Sequence, residues 1–232
     1  SISKAKLEPV TRLEIDDVLS ELTDWIASYK VSPSDLKSSG DIKFNGFLRD
    51  YFEPKTFLEI LSARAYFLKF PPKNGSSAMV LSAIMHILHG NRPYALSRRS
   101  HPITPFAPSG EYEYRGLLDR LKAKLERSLK SLDQEVLVRG KSIYQDATTE
   151  WPYEIRGLDA IVTSPPFFDS TRFYSANWMR LWFAGWNKED FKLKPKDFVD
   201  ERQKRDFGIY DTIFAQSAER LKIGGVMAIH LG

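Results

Sequence analysis

Six consecutive residues of unusual composition, Val162-Thr163-Ser164-Pro165-Pro166-Phe167, end an apolar stretch of the chain. The two prolines fix their φ angles and lack N–H donors, so they leave free carbonyl oxygens in a stiff, extended turn. Such a turn presents the Ser164 hydroxyl and the Pro165 carbonyl as neighbouring hydrogen-bond acceptors, with the flat ring of Phe167 beside them. A planar amine stacked on Phe167 would donate to both acceptors. We therefore predict that this turn binds an amino group on a planar ring.

The preceding segment decides how this turn is interpreted. Residues 158–163 are mostly apolar, are broken only by Asp159 and are ended by the prolines. This pattern is typical of a strand buried on both faces of a parallel sheet. Ligands of open α/β sheets bind beyond the carboxyl ends of such strands. A Ser-Pro-Pro-Phe sequence alone would indicate only a rigid loop, so the strand is what favours a functional site.

The six residues resemble the catalytic motif of the DNA amino-methyltransferases, written as Asp, Asn or Ser, then Pro-Pro, then an aromatic residue. The Thr-Ser-Pro-Pro-Phe form is similar in particular to the signature of cytosine-N4 enzymes. The resemblance implies that an exocyclic amine attacks the methyl group of S-adenosylmethionine directly. The catalytic turn would then comprise Ser164, Pro165, Pro166 and Phe167. Because this turn accepts the amine protons, no separate general base is required, and the target base must first leave the double-stranded DNA.

The same resemblance assigns residues outside the motif. Asp146 is similar to the Asp that contacts the cofactor adenine in this family, although a single Asp there also fits a helix N-cap. Thr163 is assigned with Asp146 to cofactor binding. The resemblance further implies that Phe168 and Tyr174 line the pocket for the base.

Two features that the family carries are not found in this sequence. S-adenosylmethionine enzymes of this type have a glycine-rich turn after the first strand and an acidic residue that ends the second strand. Residues 1–7 resemble the helix that follows the second strand in relatives. We therefore expect a fragment whose S-adenosylmethionine site is incomplete. Gly224 and Gly225 fit either a turn of the family or, better, a C-cap that ends a helix.

Composition excludes several other classes of protein. The chain has 232 residues, of which 42% are hydrophobic and 28% charged, as in an ordinary globular protein. It has no cysteine, which excludes a disulfide scaffold, a Cys-ligated metal site and a thiol nucleophile. No apolar run is long enough to span a bilayer. His86, His89 and His101 lack ligand spacing with carboxylates, so we expect no metal partner. Since no run of the chain could span a bilayer, we expect a cytoplasmic protein without a membrane partner.

Helical patterns dominate residues 1–133, which we predict to be one region. Capping boxes at Thr11 and Thr56 predict two helices, and a third, buried helix is predicted over residues 77–88. A long amphipathic helix places one set of leucines on one face: Leu117, Leu118, Leu121, Leu125, Leu129 and Leu132. Residues 31–45 and 91–110 are predicted as loops.

Residues 134–232 have a different character and are predicted to be a partial catalytic region. We predict strands over residues 135–138, 142–144, 158–163 and 226–231, helices over 175–186 and 210–221, and a charged loop over 188–206. This order favours parallel strands. With the resemblance, it implies an α/β fold: part of the Rossmann-like sheet of S-adenosylmethionine methyltransferases, carrying a large helical insertion.

The helical block would then be the part that recognises the target. Arg98, Arg99 and His101 form a loop between prolines that we predict to contact DNA phosphates. The basic residues of the amphipathic helix are better explained as a solvated face. The sequence thus predicts a fragment of a site-specific DNA methyltransferase, as in restriction-modification systems, that favours cytosine N4 over adenine N6. An RNA amino-methyltransferase and a non-catalytic nucleic-acid-binding module remain as alternatives.

Overall fold

The computed structural model of the protein describes residues 2–89, 95–98, 107–132, 138–167 and 173–231. The contacts within the chain define two compact units. The first contains residues 1–142 and 174–191, and the second contains residues 143–173 and 192–232. The chain therefore passes between units three times, whereas the sequence predicts a single boundary after residue 133.

The first part of the chain is helical in the residues described. Its helices, with one 3₁₀ turn at Leu48–Tyr51, are α1 (Ile2–Leu7), α2 (Arg12–Ser28), α3 (Pro33–Gly40), α4 (Pro54–Lys69), α5 (Gly75–Ile87) and α6 (Leu117–Leu132). The later part mixes strands with short helices. These elements are β1 (Leu158–Thr163), α7 (Phe173–Ala176), α8 (Trp178–Phe183), α9 (Lys188–Leu193), a 3₁₀ turn at Lys194–Asp197, α10 (Val199–Arg202), α11 (Ile209–Arg220) and β2 (Leu221–Ile229).

Side-chain caps fix where the early helices begin. The helix start predicted at Thr11 is confirmed, because its hydroxyl accepts a hydrogen bond from the Glu14 amide at 3.3 Å and α2 starts at the next residue. The capping box is incomplete, since the Thr11 amide donates to the Ser76 hydroxyl at 3.0 Å. The start predicted at Thr56 is wrong. Helix α4 begins at Pro54 and is capped by Glu53, while the buried Thr56 hydroxyl donates to the Arg115 carbonyl at 3.1 Å. The predicted loop 31–45 contains α3, which begins with a capping box formed by Ser32 and Asp35.

Helix α5 lies at the centre of the first unit. It packs against α1, α2 and α6 and is buried on nearly every side, as its apolar sequence predicts. The amphipathic pattern of α6 is also confirmed. Its inner face is formed by the buried leucines Leu117, Leu121, Leu125 and Leu129. Burial of such a stripe against other helices is what stabilises a helix whose opposite face is charged.

The tryptophan-rich segment after residue 173 also belongs to the helical unit. Trp178 and Trp182 are fully buried there, and the Trp182 ring stacks on Phe57 at a centroid distance of 6.2 Å. The single helix predicted over residues 175–186 is wrong, because α8 ends at Phe183. Gly185, at φ +111°, ends it in a left-handed turn that L side chains rarely adopt. This packing explains why the compact units do not divide at residue 133.

The second unit is built on two parallel strands joined by a crossover that includes α11. Ala160 of β1 pairs with Val226 of β2, and Thr163 pairs with Ile229. The register shifts between Leu158 and Ala160. The strand predictions at 158–163 and 226–231 are therefore confirmed in type and relative direction. Two strands do not define a Rossmann-like sheet, so that fold stays a prediction.

Two glycines were expected to end a helix, and this is wrong. Helix α11 ends at Arg220, and Gly224 and Gly225 lie inside β2 at the register shift. Gly224 has φ +80°, and a Cβ on Gly225 would lie 2.9 Å from the Lys222 carbonyl oxygen. The glycines are thus required by the irregularity of the strand rather than by a helix end.

Exposure of the sheet differs from the prediction of strands buried on both faces. Val162 is 82% exposed and Val226 is 61% exposed, and they lie on the same face of the sheet. In the part of the chain that the structure describes, nothing packs on that face closely enough to bury it. An apolar segment therefore predicted a strand correctly but not its burial.

Two further segments differ from their predictions. Residues 142–144 are described and are not a strand, while residues 135–137 lie outside the described residues. The predicted charged loop 188–206 contains α9, a 3₁₀ turn and α10, where Asp190 accepts a hydrogen bond from the Asn187 amide at 3.0 Å. Most of the predicted loop 91–110 is not described.

Within the described ranges, no helix has the length and apolar character needed to cross a membrane.

Candidate functional site

The predicted catalytic turn begins at the carboxyl end of β1. Its first residue, Ser164, is held beside the end of β2, because the backbone N–H of His230 donates to the Thr163 carbonyl at 2.9 Å. The Oγ atom of Ser164 lies 3.4 Å from Nδ1 of His230. The structure therefore brings together a hydroxyl and an imidazole that sequence analysis did not connect. A histidine directly after a second parallel strand was the signal for it.

The ring of Phe167 lies next to the same imidazole, that of His230. The two rings lie 5.9 Å apart, centroid to centroid, in an edge-on arrangement with an interplanar angle of 63°. Ser164 is exposed, whereas the two prolines and Phe167 are half-buried. The turn thus offers an accessible hydroxyl beside a partly sheltered aromatic ring, as the proline pair predicts.

A cavity of about 730 Å³ adjoins this turn within the second unit. Its floor is the inner face of the sheet, where Ile161, Met227 and Ile229 lie, and α11 forms the opposite wall. Every residue of the predicted turn lines it: Thr163, Ser164, Pro165, Pro166 and Phe167. A mostly apolar cavity with a few polar groups and this volume is typical of a small-molecule site.

Aromatic rings follow one another along the wall formed at the start of α11. Phe207 and Tyr210 lie 6.4 Å apart between ring centroids, and Tyr210 and Phe214 lie 6.2 Å apart. Phe207 is 60% exposed and Phe214 is 46% exposed, so both retain free surface. Such a series of rings suits contact with a planar heterocycle.

Gln203 places a polar group in this wall. Its side chain is 2% exposed, and its Oε1 accepts a hydrogen bond from the Tyr210 hydroxyl at 2.7 Å. Burial raises the pKa of Tyr210, which keeps that hydroxyl protonated as the donor. The Nε2 group of Gln203 has no hydrogen-bond partner among the described residues. A buried donor without an acceptor costs roughly 1–3 kcal/mol, so a ligand acceptor there would recover this free energy.

Asp146, predicted to contact a cofactor, is engaged with the protein. One carboxylate oxygen accepts from the Thr148 amide at 2.9 Å, and the other accepts from Nη1 of Arg202 at 2.9 Å. Burial opposes ionisation, but the hydrogen bonds from Thr148 and the charge of Arg202 outweigh it and lower the pKa of Asp146. The alternative of a helix N-cap is wrong, because a turn rather than a helix follows. The neighbouring Ala147, not Asp146, lines the cavity.

Other predicted site residues are placed outside the cluster or are not described. Tyr174 lies in α7 and belongs to the first unit, so its role in a base pocket stays a prediction. Arg98 donates through Nη2 to the Gly110 carbonyl, and its guanidinium lies 4.0 Å from the centroid of the Tyr112 ring. Its Nη1 also donates to the Asp50 carbonyl at 3.4 Å and its Nε is buried, so the phosphate contact stays a prediction. Three predicted residues lie outside the described residues: Phe168, Arg99 and His101.

A metal site needs several histidine or carboxylate side chains arranged around one point. In the described ranges, no group of three or more such side chains is arranged to hold a metal ion. Comparison of the chain with protein-family models, curated proteins and solved structures found no match. The interpretation of the site therefore depends on the motif and on the geometry around Ser164.

Proposed function

We propose that this chain is the catalytic part of a DNA amino-methyltransferase, which methylates an exocyclic base amine and favours cytosine N4 over adenine N6. One observation carries the proposal. The whole Thr-Ser-Pro-Pro-Phe turn lines a cavity at the carboxyl end of a parallel strand, beside a series of aromatic rings. A motif that served only as a rigid connection would have no reason to border a cavity of this size.

The amine would be held by the first two residues of the turn. The Oγ atom of Ser164 and the carbonyl oxygen of Pro165 accept the two amine hydrogens, while the ring of Phe167 lies against the face of the base. These hydrogen bonds draw electron density toward the nitrogen and free its lone pair from conjugation with the ring. The residues therefore bind the amine most tightly in its reactive geometry, which is how an enzyme lowers a barrier.

His230 fixes the direction of the Ser164 hydroxyl in this proposal. With Nδ1 unprotonated, the imidazole accepts the hydroxyl hydrogen across the 3.4 Å separation, and the Oγ lone pairs remain for the amine. Without this acceptor, the hydroxyl hydrogen would rotate freely and compete with the amine hydrogen. His230 is therefore a positioning residue for Ser164.

Gln203 would hold the ring next to the amine. Both candidate bases carry a ring nitrogen acceptor beside the exocyclic amine, N3 in cytosine and N1 in adenine. Nε2 of Gln203 is buried, so a rotation of the side chain toward the cavity would bring this unpartnered donor to the ring nitrogen in the proposed complex. The buried donor thus explains how a base would be oriented, but it does not distinguish cytosine from adenine.

The methyl donor needs more than the described residues supply. S-adenosylmethionine provides an electrophilic methyl group when bound, and the family holds it with a glycine-rich turn and a ribose-binding acid. This sequence has no such glycine turn, and both carboxylate oxygens of Asp146 are already engaged by Thr148 and Arg202. The described residues therefore do not form a complete site for it, and the proposal assigns them to the base.

Titration with nucleosides tests the base site on the chain as it is. The methyl resonance of Met227, which lines the cavity, reports binding in a sample with ¹³C-labelled methionine methyl groups. We expect 2′-deoxycytidine to shift this resonance and its N4,N4-dimethyl derivative, which lacks both amine hydrogens, to bind at least tenfold more weakly. Equal affinity for the two would contradict the proposed role of the turn.

Product analysis tests the reaction itself. DNA is incubated with S-adenosylmethionine and a longer chain that also supplies the glycine-rich turn and the ribose-binding acid, and mass spectrometry of the digested DNA identifies the methylated base. We expect N4-methylcytosine, its loss in Ser164→Ala and its retention in Ser38→Ala, a matched change on α3. Methylation that persists in Ser164→Ala would overturn the role of that hydroxyl. Binding of deoxycytidine without methylated product would favour the non-catalytic alternative.

A further inference from the structure

One wall of the cavity at the proposed base site comes from a segment that the proposed reaction does not use. Residues 146–151 belong to no helix or strand of the second unit, and they contain a turn in which the Thr149 N–H donates to the Asp146 carbonyl at 3.1 Å. Ala147 and Trp151 from this segment line the cavity of about 730 Å³. Because the segment is part of no regular element, side-chain contacts decide where this wall lies.

Gln216 of α11 holds this segment with both ends of its amide. Its Nε2 donates to the Thr149 carbonyl at 2.6 Å, and its Oε1 accepts from the backbone N–H of Trp151. The side chain is 8% exposed, so water competes little for either hydrogen bond. The amide thus takes the place that a peptide group of a neighbouring strand has in a sheet. Gln216 therefore fixes the segment against α11.

Both the backbone and the side chain of Trp151 are held in place. The indole Nε1–H donates to the Ala147 carbonyl at 2.9 Å, and the Trp151 carbonyl accepts from Nη2 of Arg220 at 3.4 Å. The residue is half-buried. A ring that is held in this way loses little conformational entropy when it contacts a ligand. The cavity wall therefore carries a preorganised indole whose N–H already has an acceptor.

The engaged N–H leaves Trp151 only its apolar ring to offer to a ligand. Among the described residues that line the cavity, Asp211 alone has a formal charge, so the cavity suits a ligand that carries little negative charge. An uncharged planar base meets this requirement. Proteins hold unpaired bases largely by stacking them on aromatic side chains, which every base permits because each has a flat face.

We propose that Trp151 is a second ring that contacts the base, in addition to Phe167, and that Gln216 is the residue that positions it. This inference rests on the proposed function, because the ligand is the same base. Trp151 contributes affinity for a planar ring, whereas the Ser164 turn recognises the amine. The two contributions can therefore be separated by experiment.

Nuclear Overhauser effects in the complex with 2′-deoxycytidine test the contact directly. We expect them between the indole ring protons of Trp151 and the two carbon-bound protons of the cytosine ring, and Trp151→Phe identifies the indole signals by their absence. A shift of the Met227 methyl without these effects would overturn this inference and leave the base site intact. If the effects are present but the N4,N4-dimethyl derivative binds equally well, the contact is supported and the proposed role of the turn is contradicted.

Variants of Trp151 measure how much the ring contributes. Trp151→Leu should weaken binding of 2′-deoxycytidine by roughly tenfold, and Trp151→Phe, which keeps a ring, should weaken it by no more than about threefold. Tyr153→Leu is the matched control, because Tyr153 is 70% exposed and does not line the cavity, and it should leave the affinity unchanged. An unchanged affinity in Trp151→Leu, or an equal loss in Tyr153→Leu, would overturn the contact.

The positioning role of Gln216 is tested through its dependence on Trp151. Gln216→Met has a similar volume but no amide, so it should weaken binding by about three- to tenfold in the otherwise unmodified protein. In the Trp151→Leu background the same change should cost no further affinity, because the ring that Gln216 positions is already absent. A loss of equal size in both backgrounds, or no loss in either, would show that Gln216 does not act through Trp151.

Discussion

The Oγ atom of Ser164 lies 3.4 Å from Nδ1 of His230, although 66 positions separate the two residues in sequence. The parallel register of β1 and β2 creates this proximity, because it pairs Thr163 with Ile229 and places the next residue of each strand side by side. An isolated Ser-Pro-Pro-Phe turn has no such partner. The pairing therefore places a hydrogen-bonding imidazole beside the hydroxyl and makes His230 the first residue to test.

Replacing His230 should slow methyl transfer without weakening DNA binding. His230→Leu removes the acceptor for the Ser164 hydroxyl, so we expect a fall in kcat of about tenfold or more with KM unchanged. His230→Gln retains a side-chain acceptor and should recover part of the rate. Initial rates over a range of DNA concentrations, measured in the longer chain that completes the S-adenosylmethionine site, give kcat and KM for both variants. A full rate in His230→Leu would show that the 3.4 Å contact has no role.

Replacing Gln203 should weaken binding of the base. Gln203→Leu keeps a similar volume but removes the unpartnered Nε2 donor, so we expect affinity for 2′-deoxycytidine to fall by roughly five- to tenfold. Gln203→Glu replaces the donor with an acceptor that repels the ring nitrogen and should bind more weakly still. Titration followed at the Met227 methyl measures both. If Gln203→Leu binds like the unmodified protein, the donor does not contact the base.

The ion pair between Asp146 and Arg202 should make the second unit less stable in acid. The folded state lowers the pKa of Asp146 from its ordinary value of 3.8, so the ionised carboxylate stabilises the fold above that value. This contribution is lost as the pH falls below about 4 through the lowered pKa. Because both side chains are partly exposed, Asp146→Asn should cost only about 0.2–1 kcal/mol at neutral pH.

Urea denaturation at pH 7 and at pH 3 tests this assignment. The difference in unfolding free energy between the unmodified protein and Asp146→Asn should be present at pH 7 and should shrink at pH 3. Asp197→Asn, at an exposed position in the same unit, is the matched control and should change the unfolding free energy at pH 7 by no more than about 0.5 kcal/mol. A difference that grows toward low pH would contradict the direction of the pKa shift.

Truncating Trp182 should strongly destabilise the helical unit. The side chain is fully buried and stacks on Phe57, so Trp182→Ala removes a large apolar surface and leaves a cavity. We expect a loss of about 3–5 kcal/mol in unfolding free energy. Tyr144→Ala, at a fully exposed position, should change it by no more than about 0.5 kcal/mol. Helical circular dichroism in urea measures both, and similar midpoints would contradict the assigned burial.

Local sequence signals predicted much of the helical unit. The cap at Thr11, the apolar α5 and the leucine stripe of α6 each depend on residues within a few positions of one another, and each is confirmed. Predictions failed where competing local signals were present. Thr56 has the spacing of a capping box, but Glu53 and Pro54 begin the helix one turn earlier. Charge in residues 188–206 indicated a loop, although short helices form there, the first of them capped by the Asn187 side chain.

The site was predictable only in part. Sequence placed the Ser164 turn at the end of a strand, and the structure agrees. The contributions of His230 and Gln203 depend on strand register and on the packing of α10 and α11 near the sheet, which no local pattern encodes. The burial of Trp182 in the helical unit likewise depends on distant residues such as Phe57.

The proline pair keeps the Ser164 turn rigid even though one face of the two-stranded sheet is exposed. With Val162 and Val226 in contact with water, the hydrogen bonds of this ladder open at little cost, and their amide hydrogens should exchange with deuterium far sooner than those of the buried α5. Pro165 and Pro166 have no amide hydrogen, and their rings restrict φ whether or not the ladder is closed. The turn should therefore keep its local shape through covalent geometry even where the ladder opens.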